Sequence, residues 1–358
     1  MKPLLCTVFI NPQTALALSL AQWDIVIRQA RRAHVLARLR QLLQSAGLLA
    51  QIPHQPLLHL ESAHIYYERF QGSLQQEIRH VHEALKPLEI PVILLKGSAY
   101  SVAGNSAALG RTFSDIDILV TETALPDVEM ALINAGWITS TLDPYDQKYY
   151  RQWMHEIPPM RHLSRQTSID VHHNILPKTV RSCPDAQQLW ANRVPVPEQN
   201  LWLLSPEDRV LHSAAHLFHE GEWAMGFRDL SDLDLLLKEF STTEGFWANL
   251  LQRAETLKLQ IPLFYALRYT HQILQTPIPE AIIKSSGQHL SNKIHTLLMD
   301  ALFLRVLIPA HDSCNDRWTG VARWLLFVRS HWLRMPLYLV IPHLLRKSLL
   351  RLTGKAVH

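Results

Sequence analysis

Residues 90–120 read IPVILLKGSAYSVAGNSAALGRTFSDIDILV, and this stretch decides the fold of the chain. An apolar run at 92–95 predicts a buried strand, and the Lys-Gly-Ser sequence at 96–98 predicts the turn that follows it. Because strand side chains alternate between faces, Asp115 and Asp117 project from one face while the isoleucines beside them pack inward. Two adjacent carboxylates repel each other unless a cation lies between them. That geometry suits Mg²⁺, an oxygen-liganded ion that substrate phosphates usually complete.

A third carboxylate belongs to the same pattern. In the predicted strand at 168–175, Asp170 and His172 share one face because they alternate with apolar residues. Three aspartates on neighbouring strands are the parts that nucleotidyl transfer needs, since two cations must be held a few ångströms apart. A turn through Gly97 and Ser98 lets backbone N–H groups and a hydroxyl approach the terminal phosphates.

Three further side chains flank this predicted site. Lys96 and Arg111 could each offset phosphate charge, and Arg111 could also hold the acids through a bidentate contact. A surface lysine and a purely structural arginine are the alternatives. His172 could orient the acceptor or a metal-bound water, although a hydrogen-bonded interior histidine is slightly favoured.

The segments LLKGSAY, GRTFSDIDILV and IDVHHNI resemble the nucleotidyltransferase superfamily that includes DNA polymerase beta and the kanamycin nucleotidyltransferases. More narrowly, they are similar to a bacterial family of uncharacterised nucleotidyltransferases with an LLKG…R…DIDLLV signature. The resemblance implies that Gly97 and Ser98 form the triphosphate turn. It also implies that Asp115 and Asp117 are the metal-binding pair. Asp170 would be the third metal carboxylate and the candidate base.

The resemblance covers about residues 75–240 and extends to the cofactors. It implies an NTP substrate, with ATP as the first expectation, and two Mg²⁺ ions. The 16 residues between Ser98 and Asp115 exceed the usual interval in the wider superfamily, and AGNSAALG is expected to form a longer helix-to-strand loop.

Composition predicts a globular protein of more than one domain. The chain has 358 residues, of which 47% are hydrophobic and 18% charged. The formal net charge of +4 is too modest to indicate nucleic acid as a partner. Three widely separated cysteines favour a reducing, cytoplasmic location. The sequence does not determine the oligomeric state.

The predicted fold class is α+β, with a small mixed β-sheet nucleotidyltransferase core, flanking helices and a mainly helical C-terminal domain. The predicted regions are 1–88, a helical region packing on the core; 89–178, the catalytic core; and 179–358, the helical domain, reached through a loop-rich link at 178–204. Strands are expected at 137–141, 149–153 and 168–175. Helices are expected at 14–50, 56–86, 124–135, 206–219, 228–240, 245–258, 261–275, 291–308 and 317–334. The basic side chains at 28–40 (Arg28, Arg31, Arg32, Arg38 and Arg40) are interpreted as a solvated helix face.

A histidine-rich helix supports a rival hypothesis. His212, His216 and His219 fall on one face of the predicted helix at 206–219, a spacing that can bind a transition metal in a hydrolase. The sequence there lacks the glutamate of an HExxH motif, which favours packing or lining of an acceptor site. The basic, apolar tail at 335–353 is compatible with membrane-surface contact, but a packed helix pair is favoured.

The sequence therefore predicts an enzyme that transfers an NMP from an NTP, with Mg²⁺, to an unknown hydroxyl-type acceptor such as a small molecule, a sugar or a protein. Two alternatives stay open: a catalytically silent nucleotide-binding subunit or sensor, and a metal-dependent hydrolase that uses the histidine-rich helix. The expected partners are a nucleotide and this acceptor.

Overall fold

A mixed β-sheet surrounded by helices forms the framework of the protein, which confirms the predicted α+β class. The computed structural model describes residues 2–139, 143–197, 200–219, 221–288 and 292–334. The strands of these residues are β1 Val92–Leu94, β2 Asp115–Leu119, β3 Trp137–Thr139, β4 Met160–His162, β5 Ser168–His172, β6 Val194–Pro195 and β7 Leu201–Leu203.

Helices make up most of the rest of the described chain. They are α1 Leu4–Ile10, α2 Leu20–Arg32, α3 Leu36–Ser45, α4 His54–Leu85, α5 Lys96–Ala103, α6 Leu125–Asn134, α7 Pro144–Trp153, α8 Ala186–Ala191, α9 Pro206–His219, α10 Gly226–Phe240, α11 Phe246–Thr256, α12 Gln260–Tyr269, α13 Glu280–Ser286, α14 Lys293–Val306 and α15 Thr319–Arg334. A π-helical turn, Thr270–Leu274, follows α12.

The strand order of the sheet is β3-β4-β5-β2-β1-β7-β6. Strand β2 pairs antiparallel with β1 and parallel with β5. Strand β1 is buried along its whole length, as its apolar sequence predicts, and it pairs parallel with β7 on its other side. The two strands that carry the predicted aspartates, β2 and β5, are therefore direct neighbours near the middle of the sheet.

Several predicted elements differ from those observed. Residues 149–153, predicted as a strand, lie in α7, so that prediction was wrong. Asp143 caps this helix by accepting from the Tyr145 N–H at 2.7 Å, and Pro144 occupies its first position. The local capping signal outweighs the strand preference of the tyrosines that follow. The predicted link at 178–204 contributes β6 and β7 to the sheet.

The long segment between Ser98 and Asp115 docks the sheet onto the helical region. Helix α5 ends at Gly104, which takes the left-handed conformation of a helix C-cap with φ +67°. In the next turn, Glu239 of α10 accepts hydrogen bonds from Asn105 Nδ2 at 2.5 Å and from Ser106 N at 2.7 Å. The extra residues thus connect the strand-bearing core to α10.

The predicted solvated face at 28–40 is wrong for Arg38, which is buried, and Arg40 is also largely covered, with 12% of its side chain exposed. The Arg38 guanidinium lies 2.7 Å from a carboxylate oxygen of Asp232 on α10. The backbone of α3 at Arg38 packs against Gly110. A Cβ at position 110 would lie 2.2 Å from the Arg38 backbone nitrogen, so this packing requires glycine. Arg38 is an internal ion-pair partner, and its neighbours Arg28, Arg31 and Arg32 are exposed.

The C-terminal helices agree broadly with the predicted pattern. Helices α10, α11, α12, α14 and α15 fall at the expected places, whereas α13 was not predicted. Within the described ranges, no helix has both the length and the apolarity needed to cross a membrane. The predicted tail at 335–353 lies outside the described residues.

Candidate active site

The three predicted aspartates meet on one face of the sheet. The parallel register of β2 and β5 places Asp117 directly beside Asp170, and Asp115 lies two residues earlier on the same face. One carboxylate oxygen from each aspartate lies within 4.8 Å of those of the other two. This donor set consists only of oxygen atoms, so it fits Mg²⁺, which prefers oxygen ligands.

The closeness of these carboxylates perturbs their ionisation. Burial and the negative charge of Asp117 raise the pKa of Asp170 well above its ordinary value. Burial also opposes ionisation of Asp117, but Lys96 and His172 outweigh it and hold the pKa of Asp117 well below its usual range. The cluster therefore carries repulsion that a bound cation would relieve.

Two basic side chains hold Asp117 at the same oxygen. Lys96 Nζ donates to Asp117 Oδ1 at 2.8 Å, and His172 Nε2 lies 3.0 Å from that atom. Burial disfavours the lysine charge, but Asp117 overcomes this and raises the pKa of Lys96. The simpler sequence interpretation of Lys96, a side chain pointing to the surface, was wrong, because the ammonium group lies against the carboxylate cluster.

His172 is in turn held by a glutamate that the sequence analysis did not identify. Glu156 Oε2 lies 3.3 Å from His172 Nδ1, so the imidazole connects Glu156 to Asp117. His155, Glu156 and His172 also form a second group close enough to hold a metal ion, with nitrogen donors that suit transition metals. The isolated β-bridge between Glu156 and His172 is the local feature that brings the pair together.

The predicted triphosphate turn is the first turn of α5, and its two small residues are buried. The Ser98 hydroxyl donates to the Leu95 carbonyl at 2.8 Å. A Cβ on Gly97 would lie 2.2 Å from a terminal nitrogen of Arg111 and 2.5 Å from the ring of Phe113, so glycine is required by packing. Lys96, immediately before, has φ +44°, a left-handed conformation that is costly for a residue with a side chain. Within the turn at 96–98, it is the side chain of Lys96 that lines the cleft.

An internal ion-pair network forms the wall opposite the sheet. Asp232 of α10 accepts from Arg111 Nε at 2.7 Å and also contacts Arg38 at 2.7 Å. The Arg111 guanidinium lies over the rings of Tyr100 and Phe113, at 5.7 and 5.3 Å from their centroids. Arg111 thus has the structural role given as an alternative in the sequence analysis, and it also lines the cleft.

A cleft of about 260 Å³ separates the two walls. The sheet side supplies Lys96, Asp115 and Asp117, and the loop after α5 supplies Arg111, Phe113 and Ser114. The helical side is formed by Ser213, His216, Met225, Arg228, Asp229 and Asp232. Arg228 pairs with Asp229 at 2.9 Å. The cleft therefore has crowded carboxylates on the sheet side and paired guanidinium and carboxylate groups on the opposite side.

The three histidines of α9 have different environments. His212 and His219 are buried, and the His219 Nδ1–H donates to the Ala215 carbonyl at 2.8 Å. Burial lowers the pKa of His219 to about 4 and that of His212 well below its ordinary value. His216 lines the cleft. Among the described residues, the groups close enough to hold a metal ion do not include these histidines.

Comparison with known proteins agrees with this arrangement. A family model described as an uncharacterised nucleotidyltransferase matches residues 19–275, which include every strand of the sheet and helices α9 and α10. A search of the curated proteins found no match to this chain.

Proposed function

The chain belongs to this family of uncharacterised nucleotidyltransferases, and from that premise we propose that it transfers an NMP from an NTP to a hydroxyl-bearing acceptor in a Mg²⁺-dependent reaction. One observation carries the proposal. The parallel pairing of β2 with β5 gathers Asp115, Asp117 and Asp170 on one face, with oxygen atoms within 4.8 Å of one another. That spacing is short enough for shared cations, and Asp115 and Asp117 line the cleft.

The three aspartates would hold Mg²⁺. When bound, such ions stabilise the negative charge of the triphosphate and of the leaving pyrophosphate. Lys96 and His172 fix the carboxylate of Asp117 from within the protein. Glu156 lies 3.3 Å from the other ring nitrogen of His172 and places a negative charge behind the imidazole.

The opposite wall suits phosphate. Arg228 and Arg111 line the cleft, and each is held by an aspartate of α10. Guanidinium groups fixed in this way would stabilise developing phosphate charge without reorganisation. The strained backbone of Lys96 supports the same assignment, since such conformations cluster where a side chain must be held for function.

In the reaction that we propose, the acceptor oxygen attacks the α-phosphorus of the NTP and forms the new P–O bond. The bond from the α-phosphorus to the bridging oxygen breaks, and pyrophosphate leaves with that electron pair. The acceptor proton passes to a base, for which Asp170 is the candidate because it lies beside Asp117 in the carboxylate cluster. ATP is the NTP to test first.

Calorimetric titration of each NTP with Mg²⁺ tests the site directly. We expect binding by the wild-type chain and loss of Mg²⁺-dependent binding in Asp115→Asn/Asp117→Asn. The matched control, Asp127→Asn/Glu244→Gln, removes two exposed carboxylates and should bind as the wild type does. Equal binding by both double variants would contradict the metal assignment.

Release of pyrophosphate in the presence of candidate acceptors then tests transfer. Pyrophosphate release with an acceptor, abolished in the Asp115→Asn/Asp117→Asn variant, is the expected result. Nucleotide binding without turnover across sugars, small alcohols and proteins would favour a silent nucleotide-binding subunit instead.

A further inference from the structure

Helix α15 carries an apolar face on its solvent side. Trp324 and Trp332 are 62% and 64% exposed, and Trp318, just before the helix, is 51% exposed. Val321 and Val328 are also exposed and fall between them at helical spacing, so all five residues lie on one stripe. A surface helix ordinarily places polar side chains on this outer face.

Helix α14 packs beside α15 and has the same character. Ile294, Leu297 and Leu298 are 77%, 67% and 51% exposed. Nearly half of the large hydrophobic side chains that are exposed in the described chain lie between residues 294 and 332. Clustered exposure of this kind indicates an interaction surface, whereas single exposed hydrophobic residues do not.

Basic residues outnumber acidic ones around this apolar face. Residues 293–334, which contain α14 and α15, have six lysines and arginines and three aspartates, and two of these aspartates are paired with Arg268 and Arg305. Arg329 and Arg334 anchor α15 by donating to the carbonyls of Phe218 and His219 at 2.9 and 2.7 Å. Arg317 lies over the ring of Trp318 at 5.4 Å, at the edge of the apolar face.

We propose that the exposed face of α15 docks onto an anionic lipid bilayer. Tryptophan suits the boundary between headgroups and acyl chains, and basic residues next to such a face bind acidic lipid headgroups. Charge argues against a second copy of this face as the occupant, because it would bring Arg317 and Arg323 towards the same two arginines of the other copy.

This surface lies outside residues 19–275, the part of the chain that matches the nucleotidyltransferase family. The proposal is therefore independent of the catalytic one. The contacts of Arg329 and Arg334 nevertheless connect α15 to the C-terminal end of α9, whose residues Ser213 and His216 line the cleft. Bilayer docking would hold the cleft-bearing region close to the lipid surface.

Co-sedimentation of the full-length chain with vesicles tests the proposal. We expect binding to vesicles of phosphatidylcholine mixed with phosphatidylglycerol, little binding to phosphatidylcholine alone, and release by high salt. Trp324→Ser/Trp332→Ser should lower the partition at least about tenfold. The control Ile65→Ser/Tyr66→Ser changes two exposed residues of α4 and should leave the partition unchanged.

Three results would overturn the proposal: no binding of the wild-type chain to anionic vesicles, equal partition of the two double variants, or a concentration-dependent dimer that only Trp324→Ser/Trp332→Ser abolishes. If a variant does not fold, quenching of wild-type tryptophan fluorescence by brominated acyl chains decides the question. Quenching supports insertion of the aromatic face, and its absence contradicts it.

Discussion

The two walls of the cleft use the same residue types in opposite ways. On the sheet wall, Asp115, Asp117 and Asp170 crowd together with Lys96 as their nearest fixed cation, so negative charge is in excess. On the helical wall, Asp232 lies between two guanidinium groups, those of Arg38 and Arg111. In the first arrangement, the carboxylates repel one another and a bound cation would relieve this repulsion. In the second, the charges are already paired within the protein.

We predict that this difference separates carboxylates that serve chemistry from carboxylates that serve stability. A buried acid with matched partners is costly to remove, because its partners are left charged and unpaired. A crowded acid without a cation costs stability, and its removal should relieve the fold while it abolishes the function. The same Asp→Asn substitution therefore has opposite consequences on the two walls.

The largest expected effect on stability is that of Asp232→Asn. The substitution leaves the buried side chains of Arg38 and Arg111 without a counter-charge, which should lower the free energy of unfolding by about 3–5 kcal/mol. Urea denaturation measures the change. Asp24→Asn, which breaks an exposed pair with Arg28, is the control and should stay within about 0.5 kcal/mol of the wild type. Similar losses for both variants would remove the contrast between buried and exposed pairs.

In contrast to Asp232→Asn, the substitution Asp170→Asn should abolish activity while it stabilises the fold. Loss of a metal ligand and candidate base is expected to lower the rate of pyrophosphate release about 10³-fold, equivalent to about 4 kcal/mol. In metal-free buffer, the same variant should gain about 1 kcal/mol of stability, because repulsion with Asp117 disappears. Paired activity and urea measurements check both parts. A variant that is active, or that is destabilised as much as Asp232→Asn, would contradict the distinction.

A buried histidine of α9 should make the free energy of unfolding depend on pH. Because burial lowers the pKa of His219 to about 4, the unfolded chain binds a proton between pH 6.5 and 4 that the folded chain does not. This histidine therefore costs the fold nothing above pH 6.5. As the pH falls toward 4, it lowers the free energy of unfolding by about 3 kcal/mol. His219→Gln should flatten the pH dependence of unfolding in this window, and the exposed His54→Gln should not. Equal slopes in both variants would refute this assignment.

The smallest predicted effect is that of Glu156→Gln. Glu156 contacts His172 rather than the carboxylates, so it acts on Asp117 indirectly. Loss of such an outer partner is expected to weaken Mg²⁺ binding by about 10–100-fold while the free energy of unfolding changes little. Calorimetric titration of the metal, together with urea denaturation, distinguishes this positioning role from a structural one. Unchanged affinity for Mg²⁺ would show that the Glu156–His172 contact has no part in the site.

Alternation along single strands predicted which face each aspartate of the sheet wall occupies, and the family resemblance implied that the three act together. The positions of Asp115, Asp117 and Asp170 follow from the period of two and from the burial of the isoleucines between them. The rest of that wall was not predictable in this way. Glu156 lies in a segment without periodicity, and an isolated bridge, which leaves no pattern in the sequence, brings it to His172.

The ion pairs of the helical wall could not be predicted from the sequence for a different reason. Arg38 and Asp232 are 194 positions apart and meet because α3 packs over Gly110. A basic run predicts a solvated face on average, and it gives no sign that one of its members is buried. The small residue at 97 was expected to let the terminal phosphates approach, and the groups that lie against it in the structure are Arg111 and Phe113. Contact of Gly97 and Ser98 with a triphosphate stays a prediction.

Anomalous scattering from crystals grown with Mn²⁺ and a non-hydrolysable NTP would locate both the metal and the nucleotide. We expect manganese bound by the oxygens of Asp115, Asp117 and Asp170, with the triphosphate in the cleft between the sheet and α10. Manganese on the histidines of α9 or on the group around His155, or a nucleotide bound outside this cleft, would contradict it.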